Sequence, residues 1–163
     1  MRFKQMVLEN GITKAKTSWV RNPNEKTDNF YKYYEELARQ IKPELAFRYK
    51  GYTGDNSWLY IKPGIFPADI IIVHKGDRGY VDLEISKIDR DEFTKTMKSK
   101  LKNKMTIQKT GKSVSVRITV SLLPKTSTVE EPEMYREEIV EALNAASQLM
   151  EWYLDFKNEP VFR

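Results

Sequence analysis

Along the chain the hydrophobic period changes from helical to strand-like and back. Phe30, Tyr33, Tyr34, Leu37 and Ile41 recur at helical spacing, with Thr27 or Asp28 placed to cap and Pro43 to stop, so a helix is predicted between them. Leu45, Phe47 and Tyr49 then alternate with Arg48 and Lys50 in LAFRYK; a Gly/Asp/Asn turn and SWLYIK follow, which predicts two strands. DIIIVH, residues 69–74, is apolar on both parities after Asp69, the pattern of a central strand covered on both faces, and KGDRG turns it into GYVDLEIS as a hairpin. Asp89, with Glu92 three positions on, caps a second helix whose apolar stripe is Phe93, Met97 and Leu101, and Gly111 closes this basic stretch. In SVSVRITVSLL, Val114, Val116, Ile118 and Val120 face in while Ser115, Arg117, Thr119 and Ser121 face water. Pro132 suits the first turn of a long helix with Tyr135, Ile139, Ala142, Leu143, Ala146, Met150 and Tyr153 inward.

Residues 1–28 carry no sustained period and are read as an arm ahead of a single domain over 29–163. The core order is αβββαβα, an α/β (α+β) fold with a mixed, mainly antiparallel sheet flanked by helices. A length of 163 residues suffices for one hydrophobic core.

Composition narrows the chemistry. With no cysteine and a lone histidine, His74, thiolate and imidazole metal centres are excluded and any metal site must be built from oxygen ligands. No apolar run reaches the ~20 residues of a membrane span, so the expected setting is the cytoplasm, without a membrane partner. The net charge of +5 is unevenly spread. Lys87, Arg90, Lys95, Lys98, Lys100, Lys102, Lys104, Lys109, Lys112 and Arg117 face only Asp89, Asp91 and Glu92, whereas acids dominate from Glu130 onward. The basic stretch suits a phosphate backbone, with Lys95, Lys98, Lys102, Lys104, Lys109, Lys112 and Arg117 as candidate contacts to DNA or RNA; equally, a lysine-rich helix serves as a solubilising surface. Tyr31, Tyr33, Tyr52, Trp58 and Tyr80 suit packing better than base stacking. The acidic last helix could dock a protein partner or the basic face of a second copy in a homodimer.

The grouping with most chemical content is PADIIIVHKGDRGYVDLEISK. With a hairpin loop over Lys75 to Arg78, Asp69 falls opposite Glu84 and Ile71 opposite Asp82, so three carboxylates gather on one face. Like charges so close need a cation or a proton, and oxygen-only ligands suit Mg²⁺. Such an ion would activate water against a phosphodiester, with Lys75 or Lys87 offsetting charge on the phosphoryl oxygens. Alternating acids are also what the wet face of an antiparallel sheet carries. Glu35 and Glu36 fall to the sides of the first helical stripe, Glu36 being the weak candidate for a further acid.

Helix, three strands, helix and strand, with PAD opening one strand and DLE in the next, resembles the core of the PD-(D/E)XK nucleases. The resemblance implies a restriction-endonuclease-like fold with Asp69 and Asp82 as the metal-binding acids and Glu84 where the family usually has lysine. Lys87 matches that lysine only if the strand bulges. From about Phe30 to Phe156, SWLYIKPGI, GYVDLEI, the lysine-rich helix and the VRI strand are also similar to an uncharacterised bacterial domain that often follows such nuclease domains, which implies a non-catalytic accessory module in a defence context. A small basic inhibitor protein of phage type is the remaining reading.

Overall fold

The computed structural model describes residues 25–45, 52–53, 56–61, 68–75 and 78–162. The first helix, α1 (Glu25–Ile41), begins ahead of the expected cap. Thr27 lies inside it, buried, where its hydroxyl meets that of Thr126 at 3.2 Å and ties the first turn to a 3₁₀ turn at Thr126–Thr128. Phe30, Tyr34 and Leu37 are buried as the period predicts, Tyr33 and Ile41 are half-buried, and Tyr31 is fully buried beside the stripe.

The strands are β1 (Tyr52–Thr53), β2 (Asn56–Ile61), β3 (Asp69–Lys75), β4 (Arg78–Ile85), β5 (Met105–Thr110) and β6 (Ser113–Thr119). They form one six-stranded sheet in the order β1-β2-β3-β4-β6-β5. Every pair among the described residues is antiparallel, where the sequence predicts a mixed, mainly antiparallel sheet. β4 and β5 run the same way, but β6 lies between them and makes both contacts antiparallel. β5 itself is a correction. The helix after the Asp89 cap, α2 (Arg90–Met97), gives way to a 3₁₀ turn at Lys98–Lys100, so the tail of the basic stretch is a strand that pairs with β6 through a turn where Gly111 has φ +55°. The LAFRYK strand falls, apart from buried Leu45, outside the described residues.

Register explains the core. Ile70 pairs with Leu83 and Leu83 with Val116, while Ile72 pairs with Val81 and Val81 with Ile118, so one apolar face is continuous across β3, β4 and β6. That face packs against α1 and α3 (Arg136–Phe156), whose Ile139, Ala142, Leu143, Ala146, Met150 and Tyr153 are all buried, and against Phe93 and Met97 of α2. Burying a large apolar side chain contributes roughly 1.5–3 kcal/mol, so this one face carries most of the drive to fold. The buried Trp152 indole donates to the Lys100 carbonyl at 3.0 Å. Asp89 accepts from the Glu92 amide at 3.0 Å, the cap that the sequence predicts. No described helix is long and apolar enough to cross a membrane.

Gly79 shows how closely β4 approaches the chain after β6. Its carbonyl accepts from Val120 at 3.0 Å, and a Cβ built on it would lie 2.6 Å from the Ser121 carbonyl oxygen. Backbone cannot swing aside as a side chain can, so Gly79→Ala is expected to cost about 2 kcal/mol or more, read as a lower denaturation midpoint in urea. A loss under about 0.5 kcal/mol would mean that this approach is looser than the geometry implies.

Candidate functional site

Opposite the helix-covered face lies the one that carries the acids. Asp69 pairs with Glu84 and Ile71 with Asp82, the register expected from the hairpin, and the ladder runs on to Lys75 opposite Arg78. Ile71 and Val73 are buried on this side also, as a strand covered on both faces requires. The neighbouring strand adds what sequence reasoning did not foresee: Arg117 sits opposite Asp82, and Ser115 opposite Glu84.

Asp82 is only 7% exposed, and both of its oxygens accept from Arg117, Nε to Oδ1 at 2.7 Å and Nη2 to Oδ2 at 2.9 Å. This is the bidentate fork that holds a carboxylate most firmly. The guanidinium also stacks over Tyr80, 3.7 Å from the ring centroid. Burial pushes the Asp82 carboxyl up, against the hydrogen bond and charge of Arg117 and a hydrogen bond from Ser115. Glu84 is pushed up as well, first by burial and then by the charges of Asp69 and Asp82. The three carboxylates therefore do share one electrostatic neighbourhood, as the spacing suggests.

Asp82 as it stands is not available to a hard divalent ion: its oxygens are occupied by a guanidinium, whose charge would repel a cation, which leaves the facing pair Asp69 and Glu84 as the carboxylate donors. Among the described residues no three acidic or histidine side chains are gathered closely enough to hold a metal. Nor does a bulge bring Lys87 into play. The ladders run uninterrupted to Glu84 on the β3 side of β4 and to Ile85 on the β6 side, and Lys87 lies beyond the strand end, exposed. Glu36 is exposed on α1, away from its buried stripe, and Glu35 pairs with Arg39 at 3.1 Å.

The basic residues divide into three groups. Arg117 is turned inward to Asp82 and is withdrawn from the surface set proposed for phosphate contact. Lys102 and Lys109 pair with Asp155 at 3.6 Å and Asp91 at 2.9 Å, exposed, solvent-screened contacts that a phosphate can displace. Lys95, Lys98, Lys104 and Lys112 are exposed and belong to no ion pair among the described residues. The Lys109–Asp91 contact brings β5 against the first turn of α2, so the strand, the helix and the β5–β6 turn make one continuous basic segment.

Fold and surface together define an α+β domain: an antiparallel sheet with helices on one face, an internally paired acidic network on the other, and lysines along one side. No family model matches the chain, and no curated protein or solved structure matches it.

Proposed function

We propose that the protein binds nucleic acid with little sequence preference through the outer side of α2 and the β5–β6 hairpin, and that it acts as a non-catalytic module. The observation that carries this reading is the set of exposed lysines, Lys95, Lys98, Lys104 and Lys112, that have no carboxylate partner among the described residues and lie on one connected segment. Lys95 and Lys98 are three positions apart, neighbours on the helix surface, and suit successive phosphates rather than base edges. The internal pairing of Asp82 argues against the hydrolytic alternative, because the acid that would anchor a metal already has its counter-charge.

The test is binding of single- and double-stranded oligonucleotides by fluorescence anisotropy across a salt series. About four phosphate contacts predict a log–log salt slope near −3 to −4 and a loss of affinity of roughly 100-fold between about 50 and 200 mM salt. Lys95→Ala with Lys98→Ala should make the slope shallower by about 1.5 to 2. An unchanged slope, or no binding at low salt, overturns the reading.

A second reading keeps one observation in its favour: Glu84 is raised, first by burial and then by the charges of Asp69 and Asp82 beside it. It is tested by plasmid nicking with Mg²⁺ or Mn²⁺. Cleavage that disappears in Asp69→Ala and Glu84→Ala would establish a hydrolase and displace the module reading.

A further inference from the structure

At the end of the sheet where β4 finishes and β5 turns into β6, Ser86, Lys87, Ile88, Lys112 and Ser113 line an open cleft of about 520 Å³. No carboxylate is among the lining residues. Continuing the register past Ile85 and Val114 sets Ser86 beside Ser113 and brings Lys87 and Lys112, from segments far apart in sequence, to the same rim. Neither lysine is in an ion pair among the described residues. Two ammonium groups lining one cleft disfavour each other's charge, and an anion held between them would offset it.

The backbone adds an independent sign. Lys87 has φ +56°, the left-handed region where glycine or asparagine is the residue without a steric penalty. A lysine at such a position costs the fold something that a glycine would not. Strain of this kind gathers at ligand sites, where the side chain it presents is what matters. Donors in the cleft are the two ammonium groups and the Ser86 hydroxyl; the Ser113 hydroxyl already donates to the Thr110 carbonyl at 3.1 Å. Glu84, two residues along the same sheet face from Ser86, is the neighbouring acid by register and marks the inner limit of the positive region.

We propose that this cleft holds a terminal phosphomonoester, the phosphorylated end of a nucleic-acid strand whose backbone follows α2. Two lysines match a group carrying about two negative charges, whereas an internal phosphodiester carries one. The volume accommodates a terminal nucleotide, with half-buried Ile88 as the apolar contact for its sugar. The assignment deepens the nucleic-acid reading and rests on it for the identity of the ligand, though not for the anion site itself.

The experiment compares one short oligonucleotide bearing a 5′-phosphate, a 3′-phosphate or hydroxyl ends. A phosphorylated end should bind about fivefold or more tightly than the hydroxyl form. Lys87→Asn tolerates the left-handed backbone and Lys112→Ser keeps a turn residue, so both variants should fold while bringing that ratio close to one. Equal affinities of the three oligonucleotides for the native protein overturn the proposal. If no oligonucleotide binds, the nucleic-acid reading fails on its own, and titration with inorganic phosphate followed by amide NMR decides the cleft. Shifts confined to Ser86–Ile88 and Lys112–Ser113 would support it, and their absence would end it.

Discussion

Replacing Arg117 by methionine is expected to lower the unfolding free energy by about 3 kcal/mol at neutral pH, far beyond the ~0.5 kcal/mol of an ordinary surface change. Methionine retains much of the stem that packs over Tyr80, so the loss isolates the guanidinium. Asp82, 7% exposed, would keep its charge with Ser115 as its remaining hydrogen-bond donor. Its carboxyl, already raised by burial, would rise further once the stabilising hydrogen bond and charge are gone. A carboxyl whose folded pKa is raised destabilises the native state above that pKa and ceases to do so once protonated. The deficit of Arg117→Met should therefore shrink as pH falls into the carboxylate range. Arg117→Lys keeps the charge but neither the fork nor the flat stack, and should lose an intermediate amount. Adding Asp82→Asn to Arg117→Met removes the stranded charge and should restore most of the loss, a coupling read from a double-mutant cycle in urea. Additive single-mutant effects would show that the pair is decorative. Because the Arg117 guanidinium is committed to Asp82, Arg117→Lys, measured where it is folded, should leave the salt slope of nucleic-acid binding unchanged.

What was legible in the sequence follows from the range over which each signal acts. The Asp89 cap, the stripe of α3 and the pairing of Asp69 with Glu84 are local: a side chain three residues from an amide, a period along one helix, a short loop that sets register. The Asp82–Arg117 pair is not local. It depends on β6 lying beside β4, a fact of strand order that neither segment states by itself. A signal was present, since Arg117 alternates with Ser115 on the polar parity of β6 as Asp82 does with Glu84 on β4. Antiparallel pairing of those two polar faces would have predicted a counter-charge where composition suggested a phosphate contact. β5 was hidden for another reason. Met105, Thr106 and Ile107 alternate too briefly to stand out among lysines, and the sheet partner rather than intrinsic preference makes them a strand. The predicted wet face was likewise only partly wet: Ser115 is 4% exposed, because long neighbours on the same face cover it.

Acidification from pH 7 is expected to destabilise the protein through His74. The ring is 1% exposed, on the helix-covered face of β3, with Phe30 and Tyr34 around it at centroid distances of 6.1 and 5.4 Å. Its Nε2 shares a hydrogen bond of 3.1 Å with the Tyr34 hydroxyl, itself held well above its ordinary pKa by burial and by Tyr31. Burial lowers the His74 pKa from 6.5 to about 3, so the folded chain keeps a neutral imidazole where the unfolded chain takes up a proton. Since the folded pKa is depressed, stability is fully present above the unfolded value and falls as pH drops below it, by about 1.4 kcal/mol per unit and about 2 kcal/mol between pH 7 and 5. Asp82 and Glu84 act with the opposite sign, because their raised folded values draw protons to the native state. His74→Phe fills the site without a titrating group and removes the hydrogen bond between Nε2 and the Tyr34 hydroxyl, a loss of about 1 kcal/mol that is the same at either pH. The variant should thus be slightly weaker than the native chain at pH 7 and more stable at pH 5, with urea midpoints that cross near pH 6. Parallel curves would mean that the imidazole already takes up its proton in the folded state, which its packing between two aromatic rings and a hydroxyl does not permit.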